Sequence, residues 1–145
     1  MARRSKPQTD LLTNLLTQLG VILQALWRML RGRRGRRLDW PAIEKRFEEI
    51  EILLTKNDSA HASQAVLQAD SLFDEVMRKV GARGVTFAER LESLRTHFSS
   101  GTYSALWRAH KLRNTIAHEH PRFDTQLARE HVATFRRSAN HLAMS

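Results

Sequence analysis

Six leucines, Leu12, Leu16, Leu19, Leu23, Leu26 and Leu30, recur at intervals of 4, 3, 4, 3 and 4 residues. That spacing puts them in one stripe along a helix. Leu11, Leu15, Ile22 and Met29 widen the stripe, while Thr13, Asn14, Thr17, Gln18, Gln24 and Arg28 fall mostly on the other side. The run Arg31-Gly-Arg-Arg-Gly-Arg-Arg37 ends this helix, because two glycines among mutually repelling charges do not hold helical geometry.

Beyond that run the apolar positions keep helical spacing, broken at turn residues. Asp39-Trp-Pro41 starts a helix, with proline tolerated in the first turn, and Ile43, Phe47, Ile50 and Leu54 follow to about Lys56. Asn57-Asp-Ser59 is a turn and cap. Val66, Ala69, Phe73, Val76 and Val80 line the next helix, which Gly81 is suited to end. Thr86-Phe-Ala-Glu89 has capping-box spacing and opens a short helix through Leu91, Leu94 and Phe98. Ser99-Ser-Gly-Thr102 breaks it. A further helix runs from about Tyr103 to His118, and Pro121 keeps it from continuing far. Asp124 caps a last helix carrying Leu127, Val132, Phe135 and Leu142. No segment alternates with period two. The pattern predicts an all-α fold, an antiparallel bundle of about five helices over residues 38–145, with an extra amphipathic helix and Arg-rich linker at 1–37.

Composition agrees with one domain and an appendage: 145 residues, 41% hydrophobic, with only six glycines and three prolines. There is no cysteine, which excludes disulfides, thiolate zinc sites and a cysteine nucleophile, and fits a reducing, cytoplasmic setting. The net charge of +9 is unevenly placed. Residues 1–37 hold nine Lys/Arg against a single acid, Asp10, whereas residues 38–145 are nearly neutral. The basicity therefore belongs to the N-terminal segment, and seeks phosphates on lipid or on RNA. Three readings of that segment stand. It lies on an anionic membrane surface or packs on a partner through residues 10–37; it spans the membrane, with the arginine run holding the following domain in the cytoplasm; or it is a frayed basic arm. No small-residue cleavage site follows it, which argues against a removable signal peptide.

Candidate chemistry concentrates in Leu106-Trp-Arg-Ala-His-Lys-Leu-Arg-Asn-Thr-Ile-Ala-His-Glu-His-Pro121. On a helix, Ala105, Ala109, Leu112 and Ile116 fall within about 60° of one another and face the core. Opposite them, within about 80°, lie Trp107, His110, Asn114 and His118, the last three at successive i+4 positions. Arg113 sits at the edge between the faces, about 140° from His118. One helix does not easily aim both at one phosphate, so a second copy or a different local geometry is required. Asp70, on or near the apolar face of its own helix, is a plausible structural partner for Arg113. A zinc site at His110, His118, His120 and His131, with Glu119, lacks any standard ligand spacing, so neither a metal nor another cofactor is expected. Trp27 and Trp107 read as packing or interface residues. His61, His97 and His141 belong to no constellation in the sequence.

Arg113, Asn114 and His118, late in a helical bundle, resemble the signature of the HEPN superfamily: an arginine, a polar residue, and a histidine a few positions on. The likeness in helix number and placement covers residues 40–143. Gln68-Ala-Asp-Ser-Leu-Phe-Asp74 and Gly84-Val-Thr-Phe-Ala-Glu-Arg90 also look like segments of uncharacterised bacterial HEPN-like proteins. The resemblance implies metal-independent RNA cleavage in a homodimer whose motifs meet in a shared cleft. His118 would move the proton, Arg113 would stabilise charge on the phosphoryl oxygens, and Asn114 would orient the histidine or bond the phosphate. Arg108, Lys111 and His110 would contact the RNA. Many members of the superfamily are non-catalytic, and the same fold as a binding or scaffold module is the alternative. HEPN toxins silenced by nucleotidyl modification carry a tyrosine two residues after the histidine; His120 stands there in this chain, so that regulation is not expected.

Overall fold

The computed structural model describes residues 38–119 and 124–145, and the helix expected within 1–37 lies outside them. The described residues form five α-helices, α1 (Trp40–Leu54), α2 (Ser59–Lys79), α3 (Phe87–Ser93), α4 (Ser100–Glu119) and α5 (Thr125–Met144), with a 3₁₀ turn at Arg95–His97 and no strand. No helix among them is long and apolar enough to cross a membrane.

Local chemistry sets the helix ends. The Asp39, Asp58, Thr86 and Asp124 side chains each accept a first-turn amide, satisfying donors that have no partner inside the helix. Thr86 and Glu89 form a reciprocal capping box. The Glu89 carboxylate accepts from the Thr86 and Val85 amides, which hold its pKa below the usual glutamate range. Asn57 takes a positive φ of 56° in the turn between α1 and α2, a conformation asparagine tolerates better than most residues.

α2 is the centre of the bundle and packs against α1, α3, α4 and α5. Its buried face is built from Val66, Ala69, Leu72, Phe73, Val76 and Met77. Phe73 meets Phe135 of α5 at 5.6 Å between ring centroids and Phe87 of α3 at 6.1 Å. This aromatic cluster ties the short α3 into the core. α5 runs antiparallel to α1: Arg129 near its start donates to the Leu54 carbonyl (2.6 Å), and Arg136 further on donates to Glu51 (2.6 Å) and Glu44. These two carboxylates raise the Arg136 pKa.

Two boundaries differ from the sequence expectation. The short helix stops at Ser93 and tightens into the 3₁₀ turn before Phe98, so Leu94 and Phe98 are buried from irregular backbone. Ser99 does not merely break the chain; it begins the next helix. Its Oγ accepts from the Thr102 amide (3.2 Å) and its carbonyl from the Tyr103 amide (2.9 Å), so α4 starts at Ser100.

Candidate functional site

The rotation of α4 about its axis decides what the motif faces. Leu106, Ala109 and Ile116 are the buried apolar residues of this helix, while Ala105 and Leu112 are only partly buried. Relative to the arc expected from Ala105, Ala109, Leu112 and Ile116, the core-facing side is turned by about 50° towards His110. Arg113 therefore falls within the core-facing arc, between Leu106 and Ala109 in projection.

What Arg113 meets there is Asp70, a buried carboxylate of α2 that is 4% exposed. Asp70 Oδ1 lies 2.7 Å from His110 Nδ1, and Oδ2 lies 3.5 Å from Arg113 Nε. A carboxylate only accepts, so Nδ1 carries the proton and Nε2 is the nitrogen left for other chemistry. Arg113 Nε is buried with no hydrogen bond of its own, its contact with Asp70 being an ion pair at the long end of the range. Nη1 donates to Asn114 Oδ1 at 3.1 Å. One buried acid thus restrains two basic side chains of α4, as expected for a charge removed from water.

A second polar network fixes the other wall. Arg90 of α3 is 8% exposed and makes a bidentate contact with Asp74 of α2, Nε to Oδ1 at 2.8 Å and Nη2 to Oδ2 at 2.9 Å. Its Nη1 donates to the Gly84 and Val85 carbonyls. Gly84 sits at φ +126°, and a Cβ there would lie 2.4 Å from Glu89 Cβ, so the loop closes only with glycine. This clamp sets α3 so that Phe87 stacks on His110, with ring centroids 3.8 Å apart and planes 1° from parallel. His110 is consequently held from two sides, by the Asp70 carboxylate and by the Phe87 ring.

On the solvent side, Trp107, Arg108, His110, Lys111 and Asn114 line an opening of about 330 Å³. The Trp107 ring stands edge-on to His110 (6.4 Å, 72°). Of the residues singled out in the sequence, Arg108, Lys111, His110 and Asn114 thus share one opening, and Arg113 adjoins it through Asn114. His118 is exposed one turn beyond Asn114, about 12 Å along the axis from His110. The fold does not bring His118 and Arg113 together within one chain; their helix positions keep them about 140° apart. His120 lies outside the described residues. Among the described residues, no group of three or more His, Asp or Glu is placed to hold a metal ion.

Phe87, Asp74 and Arg90 are site-building residues that the sequence does not single out individually. The two segments containing Asp70 and Asp74, and Gly84 to Arg90, do carry a faint signal, since the fold joins their ends through the Asp74–Arg90 pair. No family model, curated protein or solved structure matches the chain.

Proposed function

We propose that this chain is a metal-independent endoribonuclease of the HEPN type, working as a homodimer through the exposed side of α4. One observation carries the reading. Asp70 gathers the His110 imidazole and the Arg113 guanidinium beside Asn114, next to an opening that also holds Trp107, Arg108 and Lys111. These side-chain types suit the binding part of RNA transphosphorylation, cations for the phosphate and an aromatic face for a base, with the proton left to His118 one turn beyond Asn114.

In the reaction the 2′-oxygen attacks the adjacent phosphorus as its proton passes to a base. The bond to the 5′-oxygen breaks, and that oxygen takes a proton to leave as a hydroxyl. His118, exposed and on the same side as Asn114, is the proton-transfer group. Arg113 keeps its Nη2 without a hydrogen bond among the described residues, and this end of the guanidinium stabilises the phosphoryl oxygens. Because Arg113 and His118 diverge on one helix, the complete site draws on two copies, the arginine from one and the histidine from the other. The basic segment 10–37 tethers the dimer to an anionic membrane surface.

One observation favours a second reading, a module that binds RNA without cutting it. Arg113 Nε is buried against Asp70, as for a residue whose work is to hold α4 to α2. Incubating the full-length chain with single-stranded RNA in EDTA separates the two. The nuclease reading expects cleavage that His118→Ala abolishes without lowering the melting temperature. RNA binding without cleavage by the folded wild-type dimer would replace it with the second reading.

A further inference from the structure

Cleavage of RNA by its own 2′-hydroxyl moves two protons. In an in-line displacement the attacking 2′-oxygen and the departing 5′-oxygen stand on opposite sides of phosphorus, one losing a proton and the other gaining one. A single imidazole does not easily serve both oxygens, so a second proton-transfer group is needed beside His118.

His110 is built for the first of these transfers. Its Nδ1 lies 2.7 Å from Oδ1 of the buried Asp70 carboxylate. An acceptor there keeps the proton on Nδ1 and leaves the Nε2 lone pair as the basic one. This is the arrangement in which a carboxylate orients a catalytic imidazole and stabilises the cation it becomes. Phe87, stacked on the ring at 3.8 Å between centroids, sets its plane, and Asp70 sets which edge faces inward. Among the described residues Nε2 is neither hydrogen-bonded nor sealed from solvent. His110 borders the opening shared with Trp107, Arg108, Lys111 and Asn114. Arg113 leans on the same carboxylate, its Nε 3.5 Å from Oδ2. One acid therefore holds an imidazole and a phosphate-binding cation side by side on the same copy of the chain.

We propose that His110 is the general base for the 2′-hydroxyl, an assignment that rests on the nuclease reading. Nε2 takes the proton as the 2′-oxygen bonds to phosphorus, and the imidazolium formed is paired with Asp70. Arg113 stabilises the phosphoryl oxygens, and His118 from the other copy gives a proton to the 5′-oxygen as its bond to phosphorus breaks. The products are a 2′,3′-cyclic phosphate and a 5′-hydroxyl, and exchange with water restores both imidazoles.

The test uses the full-length chain in EDTA with two single-stranded RNAs of one sequence, one natural and one with sulfur replacing the bridging 5′-oxygen at a single linkage. Sulfur leaves as a thiolate without taking a proton, so this RNA needs the base but not the acid. His110→Asn keeps an amide able to donate to Asp70 and lacks Nε2. It should retain the melting temperature and lower the cleavage of both RNAs at least about a hundredfold, the usual contribution of a general base. His110→Gln makes the same comparison if Asn at that place loosens the helix. His118→Ala should fail on the natural RNA and cleave the sulfur-containing one at close to the wild-type rate. A folded His110→Asn chain that cleaves both RNAs like wild type would overturn the assignment and leave the nuclease reading standing. Rescue of that variant by the sulfur-containing RNA would also overturn it, since His110 would then be the acid. A wild-type chain that cleaves neither RNA would remove the nuclease reading, and the assignment with it.

Discussion

Asp70 has two partners on another helix, and losing it would strand both. His110 Nδ1 and Arg113 Nε would then lose the carboxylate they face, and breaking a buried ionic group of this kind costs about 3 kcal/mol. Asp70→Ala should therefore lower stability by about that amount in urea unfolding, with His110 losing its stacked position on Phe87. The exposed His118 offers a contrast, since His118→Ala should leave stability nearly unchanged. His131 on α5 gives a pH signature. Burial pushes its imidazole below the usual value of 6.5; the Glu130 carboxylate opposes the shift and the Arg108 guanidinium adds to it. The unfolded chain thus binds the proton more readily than the folded one. The stability this residue contributes is complete above pH 6.5 and is lost as the pH falls through the lower folded value. Urea midpoints measured from pH 7.5 to 5 should fall less for His131→Gln than for wild type, and parallel curves would remove His131 from the account.

At the scale of elements, α3 has only seven residues and depends on its clamp to α2. Arg90→Ala and Asp74→Ala should each cost about 3 kcal/mol, while the double variant costs much less than their sum, because the second change removes a charge already stranded. Strict additivity would mean that the pair contributes no direct coupling. How far these elements were legible in the sequence follows from the range of the interactions that define them. The caps at Asp39, Asp58, Thr86 and Asp124 join residues two or three positions apart, and the spacing of the chain displays them directly. The rotation of α4 is only partly legible because alanines carry little orienting information: Ala109 and Ile116 of the expected arc are buried, but Ala105 and Leu112 are only partly so, and the packing of Leu106 turns the arc. That rotation turned Arg113 from an edge position to one facing α2. The Asp74–Arg90 pair spans 16 residues and the His110–Asp70 pair 40, and no periodicity reports contacts of that kind.

For the molecule as a whole, net charge is unevenly placed along the chain: residues 38–145 are nearly neutral, and the excess of positive charge lies before residue 38. If residues 10–37 tether the domain to an anionic membrane surface, the full chain should sediment with phosphatidylserine vesicles at low salt and be released as ionic strength rises. Sedimentation that ignores salt would instead indicate apolar insertion of the leucine stripe. The proposed nuclease needs two copies to complete one site, because Arg113 and His118 lie about 140° apart around a single helix. Its most direct test is complementation in RNA cleavage. Arg113→Ala and His118→Ala chains, each inactive alone, are unfolded together and refolded as a mixture in EDTA. A shared site predicts that activity returns to about a quarter of the wild-type level, since half of the dimers are mixed and each mixed dimer rebuilds one of its two sites. A mixture as inactive as its parents, beside a wild-type chain that cleaves, would contradict it.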